Sequence, residues 1–441
     1  MNGSGLADEL VTDLLRSAWI VEAARARVFS RWARRGDGWR SLAALAQQRA
    51  DVVAANLEAR GRSPDDNLVA AHASWMTTCV PRPDEPFAGL FMARLGGWVD
   101  AHAAGYLERD ARLVTELGER ERATVTLPTV MPPLPPPRSL GPEPEVRSPS
   151  VRLRVGVLGD LHAGSERAHA LAVAAIADLN AARPDIVVQL GDLTDRGDAE
   201  EFAAAADLLT RLDAPFEVVM GNHDAYSYAD EALTGRSRFE ALAGRPPEGL
   251  LREAAGIRLL LLDSVEHEVS PFPPYDLLSG AFGPGRGGAI VRGTLTPAQH
   301  DLLAEVATTD APPALVFLHH PPQPFTGFPP VIFGLNDVDS GRLHATCDSG
   351  NVWGVFAGHT HRNHRGPGFD GVAVVEVAAP RDYPFGFGLI DISASGYRYR
   401  FHQISARSLV KSSAAGVSMI QRRYGAGRRH DRAVDWSRPV G

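Results

Sequence analysis

The spacing of apolar residues along the chain changes character near residue 150. Ahead of that point they recur at helical intervals, as in Leu14, Ile20, Val21, Ala24 and Val28. Helices are predicted over Asp8–Arg34, Trp39–Arg60, Asp65–Thr78 and Pro86–Arg122, with glycine and proline breaks between them. An antiparallel bundle of about four helices satisfies this pattern. Beyond residue 150 short unbroken apolar runs take over, and runs of this kind suit strands covered on both faces. They predict strands at Leu153–Leu158, Ile186–Leu190, Phe216–Met220, Ile257–Asp263, Ala314–Leu318, Val352–Ala357, Val372–Val377 and Gly388–Ile392. Helices are expected at Arg167–Ala182 and after Asp198, a plausible N-cap with Glu201 three residues on. Tyr397–Gln403 alternates in type and reads as an edge strand. The order implies an α/β arrangement first and a more antiparallel second sheet later.

Between the two patterns lies LPTVMPPLPPPRSLGPEPEVRSPS, whose prolines deny backbone donors and hold the chain extended. The expected organisation is a helical bundle at 1–126, a Pro-rich linker at 127–150, an α/β domain at 151–405 and an Arg-rich tail at 406–441. The tail sets Arg407, Lys411, Arg422, Arg423, Arg428, Arg429, Arg432 and Arg438 against Asp431 and Asp435, and reads as flexible and solvated.

Composition narrows the class of protein without naming its chemistry. Hydrophobic content of 44% and charged content of 22% are those of a soluble globular chain. A net charge of −8 and a pI near 6.0 argue against a nucleic-acid binder. No apolar stretch approaches the ~18 residues of a membrane span, and the amino terminus lacks a basic n-region followed by an apolar block. A cytoplasmic location is expected. The two cysteines, Cys79 and Cys347, are too few for a disulfide framework or a thiolate zinc site. A di-iron site in the bundle would need Glu-x-x-His pairs, but His72 and His102 follow Val69 and Val99. Trp75, Phe91, Trp98 and Tyr106 read as bundle core.

Candidate chemistry sits where the apolar runs of the second region stop. Val155–Leu158 leads to Gly159-Asp160-Leu161-His162, and Ile186–Leu190 to Gly191-Asp192-Leu193-Thr194-Asp195-Arg196-Gly197. Three further runs end in Gly221-Asn222-His223-Asp224, in His319-His320-Pro321-Pro322 and in Gly358-His359-Thr360-His361. Ligands of open α/β sheets bind at the carboxyl edge of the strands. Carboxylates and imidazoles gathered on that edge invite a metal.

This ordered set resembles the calcineurin-like metallophosphoesterase superfamily over about residues 151–405. The His-His-Pro-Pro form is most similar to the branch of class III cyclic-nucleotide and glycerophosphodiester phosphodiesterases. The resemblance implies a four-layer α/β/β/α sandwich behind the all-α bundle, with two transition-metal ions drawn from Fe, Mn or Zn. It implies Asp160, His162 and His361 on one ion, Asn222, His319 and His359 on the other, and Asp192 bridging them. The implied reaction is in-line hydrolysis of a phosphodiester, such as a cyclic nucleotide, by a metal-activated hydroxide. His319 is favoured over His320 as the ligand by the family form His-x-Pro. His223 is expected to face substrate as a general acid with Asp224 setting its tautomer, and Arg196 and Arg362 are expected within reach of substrate. Asp195 and Arg196 would support the ligands from behind. The loop Gln323–Ser340, with Phe325, Phe328 and Phe333, is expected to shape substrate access. His169, His267, His300, His344 and His364 read as surface or loop histidines.

The expected partner is a small-molecule phosphoester, with neither membrane nor nucleic acid, and the bundle is the candidate for assembling a homo-oligomer. Rival readings are a phosphomonoesterase or nuclease of the same superfamily, or a scaffold protein acting through the bundle. The full ligand set opposes the scaffold.

Overall fold

The computed structural model describes residues 3–62, 66–80, 82–84, 88–102, 107, 110–124, 140, 147–225, 234–265, 292–308, 310–322, 334–349, 351–366 and 372–437. Most of the linker, His267, Tyr106, Phe325, Phe328 and Phe333 lie outside them, as do the rings of Trp75 and Trp98. The described residues fall into two compact units, one holding the helices up to Thr124 and the other running from Leu140 onward.

The first unit is all helical, as the periodicity predicts: Gly3–Trp32, Asp37–Ala59, Asp66–Cys79, Ala88–His102 and Ala111–Thr124. The predicted helix over Pro86–Arg122 is two helices rather than one. Leu15, Val21, Ala24, Val28 and Phe29 form the buried stripe of the first helix, and where the chain turns into the second Trp39 stacks on Phe29 while Trp32 meets both rings edge-on. Charges are also buried in this core. Arg25 and Arg49 both meet Glu22, and Arg25 also pairs with Glu121.

The second unit contains two six-stranded sheets. The first has β1 (Leu153–Leu158), β2 (Ile186–Gln189) and β3 (Phe216–Val218) running parallel, with Val155 of β1 opposite Ile186 of β2. The second is built from β4 (Leu250–Ala254), β5 (Ile257–Leu261), β7 (Ala314–Leu318), β9 (Val352–Ala357), β10 (His364–Arg365) and β11 (Ala373–Glu376) in the order β10-β11-β9-β7-β5-β4. A separate pair joins β6 (Arg292–Gly293) to β8 (Gly334–Leu335). The chain then returns to the first sheet as β12 (Gly386–Ile392), β13 (Gly396–Gln403) and β14 (Ala433–Ser437), giving the order β14-β13-β12-β1-β2-β3.

Three apolar layers hold these elements together. Val155, Val188, Leu259, Phe317, Phe356 and Tyr399 fill the space between the sheets. Leu171, Ile176, Phe202 and Phe239 bring the helices Glu166–Ala181, Ala199–Leu209 and Gly235–Ala243 onto the outer face of the first sheet. Leu303, Leu343 and Cys347 do the same for Pro297–Val306 and Asp337–Ser349 on the second. The result is the four-layer α/β/β/α sandwich. Asp198 caps its helix as expected, accepting from Glu201 N at 2.9 Å. No helix among the described residues is long and apolar enough to cross a membrane.

Two expectations are corrected. The second sheet is parallel through β5, β7, β9 and β11, with only its edge strands β4 and β10 antiparallel; the late strands added to the first sheet are all antiparallel. The Arg-rich tail is ordered through Ser437, with helices at Arg407–Ala414 and Met419–Ala426, and β14 displaces β13 from the edge. Two of its arginines are tied into the fold: Arg422 donates to Ala414 O at 2.7 Å and lies over the Tyr383 ring, while Arg432 donates to Ala426 O at 2.7 Å. A long side chain can bury its stem while its head is hydrogen-bonded, so high Arg content did not require disorder.

Candidate metal centre

The carboxyl ends of β1, β2, β3, β7 and β9 deliver the five motifs to one rim. The loops after β1 and β2 are laced by His162 N donating to Asp192 O and Ala163 N to Leu193 O, both at 2.9 Å. His359 N donates to Asp160 Oδ1 at 2.8 Å and ties the second sheet to the first. Gly221 has to be glycine, because a Cβ there would lie 2.0 Å from Asp192 N. His162, Asp192, His359 and His361 all turn through the left-handed region, with φ between 45° and 68°.

All seven expected ligands converge. Asp160, His162, Asp192 and His361 offer atoms within 4.8 Å of one another. His162 Nε2 is 3.0 Å from His361 Nε2 and 3.3 Å from Asp192 Oδ2. On the other side His319 Nε2 is 3.0 Å from Asn222 Oδ1, 3.1 Å from His359 Nδ1 and 3.4 Å from Asp192 Oδ1. Asp192 therefore turns one oxygen to each group.

Hydrogen-bond chemistry decides what these groups can hold. His361 Nδ1 meets Asp382 Oδ2 at 2.7 Å, and His319 Nδ1 meets Leu190 O at 2.8 Å. Carboxylate and carbonyl oxygens only accept, so Nδ1 of each ring carries the proton and Nε2 presents a lone pair. The His319 lone pair then faces two oxygen acceptors, Asn222 Oδ1 at 3.0 Å and Asp192 Oδ1 at 3.4 Å, and Asp160 Oδ2 is buried with no hydrogen-bond partner. Such convergence is repulsive unless a cation lies within it. Burial alone would lower the His162 pKa, but Asp192 and Asp195 push it up to about 10, so the pocket draws a positive charge even if only a proton is available. The donor set fits transition-metal ions of the Fe, Mn or Zn kind.

His319 and His320 are now distinguished. His319 is aimed at Asn222 and Asp192, whereas His320 Nδ1 is engaged by Ser264 Oγ at 2.9 Å. The His320 ring still lies with its centroid 4.5 Å from that of His359, tilted by 52°.

Residues expected near substrate fare differently. His223 Nδ1 is 2.7 Å from Asp195 O, which fixes the ring, and burial holds its pKa down at about 4. Asp224 does not orient that ring. Its carboxylate accepts from Gly221 N, Thr194 N and Thr194 Oγ1, each at 3.0 Å, bracing the loop; burial raises its pKa to about 7. Arg362 is not at the rim surface but buried in a two-pronged pair with Glu376, at 2.7 and 3.0 Å. Arg196 is half exposed and paired with Asp198 and Glu201. His300 and His364 are not plain surface histidines, for they meet Asp339 at 2.8 Å and Glu376 at 3.0 Å. Sequence reasoning missed Arg381 and Asp382, which follow β11. Their signal was present, since Pro380-Arg381-Asp382 is a polar cluster after a predicted strand, but Ala378-Ala379 separates it from the strand end.

Comparison with known proteins agrees with this geometry. Residues 153–363 match the family model described as calcineurin-like phosphoesterase. A probable cyclic nucleotide phosphodiesterase of Rhodococcus erythropolis is 28% identical over 185 residues, 41% of this chain and 52% of that protein. Another, of Rhodopseudomonas palustris, is 32% identical over 202 residues, 43% of this chain and 62% of its own length. A cAMP/cGMP dual specificity phosphodiesterase of Mycobacterium tuberculosis is 28% identical over 185 residues, 41% of this chain and 49% of that protein. The chain thus spans about half to three-fifths of the length of these curated relatives. Motifs, fold and family model coincide on one stretch: residues 153–363 form a domain that matches the calcineurin-like phosphoesterase family model.

Proposed function

We propose that this chain is a dinuclear-metal phosphodiesterase acting on a small-molecule phosphodiester, with cyclic nucleotides the first candidates. The observation that carries the reading is Asp192, whose two oxygens face separate groups of acceptors. Asp160, His162, His361 and Asp192 Oδ2 would hold one ion; Asn222, His319, His359 and Asp192 Oδ1 would hold the other. Two such ions, when bound, make water a usable nucleophile near neutral pH and neutralise charge on a phosphoryl group.

The chain's own residues supply orientation. Asp382 fixes the His361 ring, and Asp195 lies 2.9 Å from His162 Nδ1. His223, with its Nδ1–H given to Asp195 O, turns Nε2 to the work of protonating or hydrogen-bonding a leaving oxygen. Burial works against its charged form, and a bound phosphoester's negative charge works for it. The curated relatives named as cyclic nucleotide phosphodiesterases support the choice of substrate class.

A panel of cyclic nucleotides, glycerophosphodiesters, sugar phosphates and short oligonucleotides, run on metal-reconstituted protein, tests the reading. General acid catalysis is worth about 10²–10⁴-fold. His223→Ala should lose that much on a cyclic nucleotide, far less on an activated aryl diester, and keep its metals. Equal losses on both at full metal content would move His223 from leaving-group protonation to phosphate binding. Turnover confined to monoesters would remove the diester assignment.

A further inference from the structure

Three arginines stand near the rim, and two are spent. Arg362 is buried on Glu376, and Arg196 is held by Asp198 and Glu201. Arg381 differs. Its Nη1 donates to Asp195 Oδ1 at 2.7 Å, and its Nε lies 3.6 Å from Asp382 Oδ2 without a hydrogen bond. No described residue accepts a hydrogen bond from its Nη2, and the side chain is 24% exposed. The two carboxylates it touches are those against the outer nitrogens of His162 and His361. The guanidinium therefore sits astride the braces of the Asp160 side of the centre, with one prong uncommitted.

We propose that Arg381 is the anion-recognising residue of this site, using Nη2 to hold a non-bridging oxygen of the substrate's phosphoryl group while Nη1 stays on Asp195. This rests on the phosphoesterase reading and adds the residue that positions its substrate. A planar guanidinium suits the task, because one fork can serve a carboxylate and a phosphoryl oxygen together. Asp195 and Asp382 lie against it at 2.7 and 3.6 Å and hold the guanidinium in place. Asp192 adds to the negative charge it faces. The arrangement also accounts for Asp195 serving two masters: its Oδ1 is 2.9 Å from His162 Nδ1 and 2.7 Å from Arg381 Nη1, which couples the position of the anion clamp to that of a metal ligand.

The test uses the full chain loaded with Mn or Zn, with inorganic phosphate as probe. Phosphate binding is measured by titration calorimetry on wild type, Arg381→Met and Arg381→Lys, beside metal content by elemental analysis. A lost charge-assisted hydrogen bond should weaken phosphate binding about ten- to a hundredfold in Arg381→Met. KM for an aryl phosphodiester should rise by a similar factor with kcat changing less, and both ions should stay bound. Arg381→Lys, with charge but no fork, should recover part of the affinity. Unchanged phosphate affinity would overturn the assignment. So would loss of metal in step with loss of phosphate, which would make Arg381 a support for Asp195 alone. Should Arg381→Met fail to fold, Arg381→Lys must still bind phosphate more weakly than wild type. Wild-type protein that binds phosphate through Arg381 yet hydrolyses no phosphoester would remove the phosphodiesterase reading and leave the anion clamp standing.

Discussion

Replacing Glu376 with glutamine probes the scaffold behind the metal-bearing loop. The carboxylate is fully buried and accepts from Arg362 Nε at 2.7 Å, Arg362 Nη2 at 3.0 Å and Thr360 Oγ1 at 2.6 Å, with His364 Nδ1 3.0 Å away. Glutamine keeps the shape but not the charge, and it turns an amide donor toward donors already in place. Arg362, 5% exposed, is left as a buried cation that has lost the carboxylate its two prongs hold. Removing one partner of such a pair costs about 3–5 kcal/mol, which at about 2–4 °C per kcal/mol is a large fall in Tm for a domain of this size. Urea unfolding of the metal-free chain reads the loss directly. The double variant Glu376→Leu, Arg362→Met should cost less than Glu376→Gln alone, because no charge is stranded. A loss under about 1 kcal/mol for the single variant, or a double variant worse than the single, would refute the reasoning.

The same pair sets a pH signature. Burial would raise the Glu376 pKa, but Arg362 and then His364 hold it far below the ordinary value. A folded pKa below the unfolded value of about 4.3 gives stability that is complete above that pH and lost as pH falls below it. Wild type should therefore lose more stability than Glu376→Gln between about pH 5 and pH 3. Parallel acid limbs would contradict the assignment.

Two further outcomes are expected. Truncation after Ala406 should strip β14 and release the loop holding His359 and His361, since Tyr424 Oη donates to Thr360 O at 2.8 Å and Gly425 O accepts from Asn363 N at 2.9 Å; a fragment that unfolds at the wild-type temperature with full metal content would show the tail to be dispensable. Neither thiol should react with a disulfide reagent in the native chain, because Cys79 and Cys347 are buried and burial raises the Cys347 pKa to about 12; rapid labelling of either before unfolding would refute this.

What could be read from sequence was what repeats or ends abruptly. The strands of the second region show as unbroken apolar runs, and the candidate ligands show because five of those runs stop at glycine or histidine. Pairings made only by the tertiary fold could not be read. Glu376 meets Arg362 because β11 lies between β9 and β10, which brings residues fourteen apart in the chain together. Asp382 reaches His361 across a turn that no local pattern announces. Asp224 was misread for the opposite reason: adjacency to His223 suggested a partnership, but the turn points its carboxylate back at Gly221 and Thr194. The tail was misread because charge was taken as a sign of solvation, whereas β14 pairs with β13 and Arg422 and Arg432 donate to backbone carbonyls.

The backbone at the rim shows how far the site is built before any metal arrives. His162, Asp192, His359 and His361 adopt left-handed φ values, a conformation costing about 1–3 kcal/mol for such residues. Glycine would relieve that cost but remove the donors. The strained turns are instead held by their own backbone N–H groups, His162 N donating to Asp192 O and His359 N to the Asp160 side chain at Oδ1. They fix the lone pairs of the imidazoles against Asp192 and Asn222, so the folded chain carries both backbone strain and acceptor repulsion. A cation relieves the second without altering the first. Binding energy would thereby be returned to the fold, and a centre held in this way would have little left to rearrange on taking up an ion.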